Sequence, residues 1–83
     1  MKVFYTPKAA QQLEKLSRAI QKRIVIKMRF YARQENPIKF AKHLINRLEG
    51  NFRFRIGDYR VIFDIKGDII YILKIAKRDE IYT

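Results

Sequence analysis

The sequence predicts an α+β fold: an N-terminal strand, a helical hairpin, then a three-stranded antiparallel meander, with the helices packed on one sheet face. Two observations lead to this class. Residues 7–32 place apolar side chains three and four positions apart, as amphipathic helices do. Residues 51–76 contain three runs of aromatic and β-branched residues separated by glycine-containing turns. Because the chain has 83 residues, we expect a single domain that spans residues 1–83.

The charge of the chain limits its partners. Nineteen Lys and Arg against eight Asp and Glu give a net charge of +11. Such an excess favours nucleic acid, an anionic membrane surface or an acidic protein as the partner. The absence of cysteine suits a reducing compartment, and no apolar run is long enough to span a bilayer. We therefore expect a cytoplasmic protein that does not insert into membranes.

The first half of the chain predicts a strand and two helices. Residues 1–5 have the alternation of a short strand. Thr6 is the expected N-cap of the first helix, with Pro7 at its first position, and Ser17 the N-cap of the second. The core-facing stripe of the second helix is Ile20, Ile24, Met28 and Tyr31 or Ala32.

The link between helices and sheet begins at Asn36 and Pro37, since a residue before proline avoids the helical conformation. Residues 38–47 are expected to hold one more helical turn. His43, the only histidine, lies in this link. We interpret it as a surface residue and not as a general base.

The most informative stretch is residues 51–65. Phe52, Phe54 and Ile56 fall on one face of a strand, while Arg53 and Arg55 fall on the other. A tight turn at residues 56–59 leads into a second strand that carries Arg60. A sheet face of this kind predicts an anionic partner, and a phosphate backbone is the obvious one.

The rest of the chain completes the sheet. Residues 66–68 predict a hairpin turn. Residues 69–76 form a strand that is apolar on both faces for most of its length, as a central strand would be. The aromatic residues of the sheet are interpreted as core and not as base-stacking platforms: Phe52, Phe54, Tyr59, Phe63 and Tyr71.

The chain resembles a known family over essentially its whole length. The segments that carry the resemblance are residues 48–55 (LEGNFRFR), residues 57–63 (GDYRVIF) and residues 77–82 (KRDEIY). Together with the order of the elements, they are similar to the RelE/ParE toxin superfamily of type II toxin–antitoxin modules. In that superfamily, RelE-like members cleave mRNA in the ribosomal A site, whereas ParE-like members inhibit DNA gyrase.

The resemblance implies a set of catalytic residues. It is the set of the RelE-like ribonucleases: Arg53, Arg55, Arg60, Arg78 and Tyr82. These residues favour a metal-independent endoribonuclease in which the ribose 2′-hydroxyl attacks the phosphate, with no cofactor. Arginines would bind the phosphate and stabilise its developing charge. The general base is left open between Tyr82, a lysine such as Lys74 or Lys77, and a group of ribosomal RNA.

The expected partners follow from the resemblance and the charge. They are the ribosome with its mRNA and a cognate antitoxin whose acidic or amphipathic segment covers the arginines. Further RNA- or ribosome-binding residues are expected to be Lys22, Arg23, Lys27, Arg29, Lys74 and Lys77.

Other interpretations of the same residues stay open. Arg60 is also placed to pair with Asp58 or Asp64, and Arg78 with Asp79 or Glu80. The alternative functions are a ParE-like gyrase inhibitor without nuclease activity and a degenerate member that only binds nucleic acid.

Overall fold

A computed structural model describes residues 1–44 and 50–81, apart from the side chain of Ile81. The helices and strands follow in chain order: β1 (Lys2–Tyr5), α1 (Pro7–Glu14), α2 (Arg18–Ala32), β2 (Lys42–His43), β3 (Phe52–Ile56), β4 (Tyr59–Lys66), β5 (Ile69–Lys77) and α3 (Arg78–Ile81). A 3₁₀ helix, Pro37–Phe40, precedes β2. None of the described helices is long and apolar enough to cross a membrane.

The sheet has five strands in the order β1-β5-β4-β3-β2. The predicted antiparallel meander is confirmed as β3, β4 and β5. The N-terminal strand β1 joins it as an edge strand parallel to β5, and the two helices and strands β2–β4 lie between the two in the chain. On the other edge, β2 pairs antiparallel with β3 and was not predicted.

Both predicted helix starts are confirmed. The hydroxyl of Thr6 accepts the N–H of Ala9 at 3.3 Å, and that of Ser17 accepts the N–H of Ile20 at 3.3 Å. Each bond satisfies one of the N–H groups that a helix start leaves unpaired.

The link differs from its prediction in part. Its helical turn is the short 3₁₀ helix, and the chain then becomes extended in β2. Residues 45–47 of the predicted turn lie outside the described residues. His43 is exposed, as predicted, with its ring 4.8 Å from that of Phe52.

The helical hairpin packs on one face of the sheet, as predicted, through a single buried cluster. Its centre is an aromatic stack. The Tyr31 ring from α2 lies 4.0 Å from that of Phe54, which lies 4.1 Å from that of Phe63, both nearly parallel. Offset ring stacking adds to the burial of apolar area, so this column fixes α2 over β3 and β4.

One core prediction is wrong. Tyr71 is half-buried and lies outside the core cluster, although Ile70 and Ile72 beside it are fully buried. Since successive side chains of a strand alternate, Tyr71 points to the face opposite the helices. There it meets the ring of Phe4 edge-on, at 5.7 Å.

Both hairpin turns of the meander contain a glycine with positive φ. The angle is 59° at Gly57 and 57° at Gly67. Residues with a Cβ adopt this conformation at a penalty, so glycine suits both positions. The predicted turns are confirmed, and the first one bears directly on the candidate site.

Candidate functional site

The sheet face opposite the helices carries a row of basic residues. In the strand register, Arg53 of β3 lies directly opposite Lys42 of β2 on one side and Ile62 of β4 on the other. Ile62 is in turn opposite Lys74 of β5. Residues directly opposite each other across antiparallel strands share a face. Lys42, Arg53 and Lys74 therefore belong to one row across the sheet.

Next to this row lies a cleft of about 440 Å³, which we call the arginine cleft. Its lining residues are Lys39, Phe40, Ala41, Lys42, Arg53, Arg55 and Arg60. Five of them are cationic, and none of these described lining residues is acidic. A concave site lined by one sign of charge concentrates ions of the other sign. The cleft is therefore built to attract an anion.

Arg60 is the buried member of the cleft, with 4% of its surface exposed. Its Nη1 donates to the carbonyl oxygens of Gly57 at 3.0 Å and Tyr59 at 2.9 Å. These carbonyls belong to the β3–β4 turn. Arg60 thus holds the turn that precedes it, and the turn fixes the direction of its guanidinium.

Neither acidic partner considered for Arg60 holds its guanidinium by a described ion pair. The carboxylate of Asp64 instead accepts the N–H of Asn51 at 2.7 Å, just before β3. Asp58 is exposed, and its carbonyl oxygen accepts a backbone N–H from the start of α3. The guanidinium of Arg60 is hydrogen-bonded to backbone carbonyls, so no carboxylate neutralises its positive charge among these contacts.

Arg55 is the exposed member, and it lies directly opposite Arg60 in the β3–β4 register. Like charges facing each other across two strands repel, so the pair disfavours the fold unless an anion lies between them. Arg53, one row away, is half-buried. The structure therefore brings together three of the five predicted catalytic residues.

Arg78 lies elsewhere. Its backbone N–H donates to the carbonyl oxygen of Asp58 at 2.8 Å, at the start of α3. Its Nε lies 3.9 Å from a carboxylate oxygen of Asp79, an ion pair that is largely exposed. It lines a separate cleft of about 220 Å³ with Asp58, Lys77 and Asp79. The fifth predicted catalytic residue, Tyr82, lies outside the described residues.

The β3–β4 turn stands between these two sites. It holds Arg60 through the carbonyls of Gly57 and Tyr59, and it holds the backbone of Arg78 through that of Asp58. The turn therefore contacts both sites.

The predicted RNA- or ribosome-binding residues divide between two faces. Lys74 belongs to the basic row, and Lys77 lines the Arg78 cleft. The other four are exposed on α2: Lys22, Arg23, Lys27 and Arg29. The helix layer and the sheet separate most of this group from the arginine cleft.

Arg23 is the exception, because its guanidinium reaches the turn. A Cβ placed on Gly57 would lie 3.1 Å from its Nη2. The turn is thus approached by Arg60 from within the sheet and by Arg23 from the helix layer.

Sequence reasoning missed Lys39 and Lys42. They reach the cleft because β2 pairs with β3 and sets Lys42 opposite Arg53. A two-residue strand carries no recognisable period, so the sequence held no signal for this pairing.

The cleft offers cations, and Lys39 and Lys42 are its described lining residues that could transfer a proton. Its described lining contains neither a carboxylate, nor a histidine, nor a tyrosine. Burial raises the pKa of Tyr5 and of Tyr31, but both side chains pack with the core and neither lines the cleft. Within residues 1–44 and 50–81, no three His, Asp or Glu side chains come together as a metal site.

The family is decided by a match over residues 3–82 to the model of the ParE toxin of the type II toxin–antitoxin system, parDE. The chain belongs to this family. It is a type II toxin of the RelE/ParE superfamily, as the sequence resemblance implied.

A solved structure agrees with this assignment. The toxin is similar to a chain of the RelBE2 toxin–antitoxin complex from Mycobacterium tuberculosis, with a TM-score of 0.76 and 29% sequence identity. The similarity covers 93% of the toxin and 90% of that chain. Comparison with curated protein sequences gives no match.

Proposed function

We propose that this toxin is a ribosome-dependent endoribonuclease that cleaves mRNA in the A site, with the arginine cleft as the phosphate-binding part of its active site. The observation that supports this is the convergence of Arg53, Arg55 and Arg60 on one concave surface. A guanidinium matches a phosphate in charge and in bidentate hydrogen-bond geometry.

The three arginines would have different tasks. Arg55 is exposed and meets the incoming phosphate first. Arg60 is held by the turn carbonyls, so its orientation is set before the substrate arrives and needs little reorganisation in the transition state. Arg53, in the row with Lys42, would contact the neighbouring phosphate of the RNA backbone.

The reaction requires no metal in this scheme. The 2′-hydroxyl attacks the adjacent phosphorus, the bond to the 5′-oxygen breaks, and the products are a 2′,3′-cyclic phosphate and a 5′-hydroxyl. The arginines stabilise the additional negative charge on the phosphorane. Arg78 and Tyr82 are assigned to the leaving group and to substrate orientation or proton transfer by resemblance alone.

The partners in this proposal are the ribosome with its mRNA and an antitoxin. The antitoxin is supported by the similarity to a chain of a toxin–antitoxin complex. An acidic segment laid over the cleft would replace the phosphate and leave the arginines neutralised. We expect these encounters to take place in the cytoplasm.

A second function is favoured by a specific observation. The matching family model is that of ParE toxins, and the described lining of the arginine cleft contains no carboxylate, histidine or tyrosine that could act as a general acid or base. In a ParE-like gyrase inhibitor, the same basic surface would bind an acidic region of the target without chemistry.

The test is primer extension on an mRNA held in programmed ribosomes, with analysis of the cut ends. Arg55→Ala removes an exposed cleft arginine, whereas Arg18→Ala removes an exposed arginine from the start of α2 and serves as its control. Tyr82→Phe tests the tyrosine hydroxyl. We expect A-site cuts with cyclic-phosphate ends, strongly reduced in Arg55→Ala and retained in Arg18→Ala.

The contrary result is equally clear. If no cut appears at any dose of folded protein, the nuclease function is wrong for this chain. Inhibition of supercoiling by purified DNA gyrase, measured on relaxed plasmid with the same variants, would then identify the toxin as a gyrase inhibitor.

A further inference from the structure

Helix α2 has a second apolar face. Its inner residues Ile24 and Met28 are almost completely buried against the sheet. Ile26 and Phe30 are nevertheless 54% and 37% exposed. With 3.6 residues per turn, Ile26 lies about 160° around the helix from Ile24, on the side that faces away from the core. A helix that is apolar on two sides has a face left for another molecule.

The outer face forms a groove of about 620 Å³, which we call the α2 groove. Its lining residues are Ala19, Lys22, Arg23, Ile26, Lys27 and Phe30. Three are apolar and three are basic, and the sequence of α2 contains no acidic residue. The groove thus combines apolar anchor positions at helical spacing with a cationic rim.

The charge decides between the occupants. A second copy of the toxin related by a two-fold axis would set the same three cations against each other. Single-stranded RNA would satisfy the cations but has no apolar group shaped for Ile26. For a membrane surface, two large exposed apolar side chains bury little area. An amphipathic helix with acidic residues beside its apolar stripe satisfies both parts of the groove.

We propose that the α2 groove is a docking site for an acidic amphipathic helix of a protein partner, and that its occupant leaves the arginine cleft open. The cleft is on the sheet face opposite the helices, whereas the groove is on the outer side of the helix layer. This second site goes beyond the proposed function, which concerns the cleft alone.

The two sites approach each other at two places in the described part of the chain. Arg23, which lines the groove, reaches the turn whose Gly57 carbonyl accepts a hydrogen bond from Arg60 of the cleft. The ring of Phe30, at the end of the groove, lies 5.8 Å from that of Phe40, which lines the cleft. Helix α2 has 15 residues and is about 22 Å long. A partner helix no longer than α2 stays within the groove. A longer partner would continue over Phe40 toward the arginines.

The probe is a fluorescein-labelled synthetic helix of about four turns, with leucines at i, i+4, i+7 and i+11 and glutamates flanking them. A peptide of the same composition in scrambled order is its control. The protein variants are Ile26→Ser/Phe30→Ser and the control Phe4→Ser, which truncates an aromatic side chain 49% exposed on the opposite sheet face. Arg55→Ala reports separately on the cleft.

We expect the double variant to weaken peptide binding by at least about 30-fold, since it removes both apolar anchors. Phe4→Ser and Arg55→Ala should bind the peptide as wild type does. The double variant Lys22→Glu/Lys27→Glu should also weaken peptide binding. The control Lys8→Glu/Lys66→Glu has the same change in charge and should weaken peptide binding less. A saturating peptide should leave the affinity for a short oligouridylate within about two-fold of its value without peptide.

Thermal unfolding establishes that each variant is folded, and Ile26→Ser alone replaces the double variant if that one is not. Equal peptide affinity of wild type and folded Ile26→Ser would overturn the proposal. So would displacement of the peptide by the oligonucleotide, or binding of the toxin to phosphatidylserine vesicles but not to the peptide. If the toxin binds the peptide but does not bind the oligouridylate, the result counts against the proposed function and does not affect the proposal for the α2 groove.

Discussion

The guanidinium of Arg60 donates a 3.0 Å hydrogen bond to the carbonyl oxygen of Gly57, three residues before it in the chain. A residue expected to serve the substrate is therefore also a structural support of the turn. The two roles are compatible, because one nitrogen, Nη1, makes both bonds to the turn carbonyls. A variant of Arg60 accordingly alters stability as well as function.

Arg60→Ala should lower the free energy of unfolding by about 2 kcal/mol, because two turn carbonyls lose a charged donor in a buried place. Arg60→Lys should lose roughly half of that, since an ammonium can still donate to one of them. Urea unfolding followed by circular dichroism measures both. Equal stability of all three proteins would show that the turn does not depend on this side chain.

Gly50→Ala should destabilise the toxin by about 2–3 kcal/mol through overpacking. The added Cβ would lie 2.6 Å from Cγ2 of Ile62, a buried side chain with little room to move. Gly67→Ala is the matched control, since its Cβ would meet nothing within 4 Å and its penalty comes from the positive φ alone. That penalty is about 1 kcal/mol. A larger loss in the control than in Gly50→Ala would contradict the close packing at Gly50.

Stability should fall as the pH rises above the ordinary tyrosine pKa of 10.0. Burial raises the pKa of Tyr5 and of Tyr31 in the folded state, although the charge of Arg29 acts in the opposite direction on Tyr5. The unfolded chain then releases these protons at lower pH than the folded one, and unfolding is favoured in that window.

The measurement is urea unfolding of wild type and Tyr5→Phe/Tyr31→Phe at a series of pH values from about 8 to about 11. The variant should lose less stability over this range than wild type. Parallel pH profiles would show that the lysines, which titrate in the same region, account for the whole effect.

Binding of a single-stranded RNA to the arginine cleft should depend strongly on salt. Every phosphate that a cation of the cleft neutralises adds about 0.7 to the steepness of log affinity against log salt, so Arg55→Ala should make the dependence shallower by about this amount. Fluorescence anisotropy with a labelled oligouridylate gives the slope. Arg18→Ala removes the same charge from α2, and an equal change of slope in that variant would mean that RNA binds the toxin without preference for the cleft.

Local features of the fold were readable from the sequence. Thr6 and Ser17 cap their helices because the bonds involved reach only three residues along the chain. The alternation of Phe54 with Arg53 and Arg55 assigned those side chains to opposite faces, and the burial of Phe54 agrees. The superfamily was also recognisable, and the family match confirms it.

Strand neighbours and side-chain environments were not readable in this way. Alternation predicts which face of a sheet a residue occupies, but it does not predict which strand lies beside it. The parallel pairing of β1 with β5 and the position of Lys42 opposite Arg53 therefore could not be predicted from the sequence pattern. Tyr71 was misassigned for the same reason, since an apolar run does not reveal which of its faces is covered.

The sequence by itself thus determined α1 and α2, the hairpin turns, the basic excess and the family of this toxin, because each depends on local spacing or on composition. It did not predict α3. Only the tertiary structure decided that Arg53, Arg55 and Arg60 share a cleft with Lys39 and Lys42, that Arg78 lies in another, and that α2 keeps a second apolar face. These depend on how distant segments meet in space, where packing and long-range strand pairing set the distances.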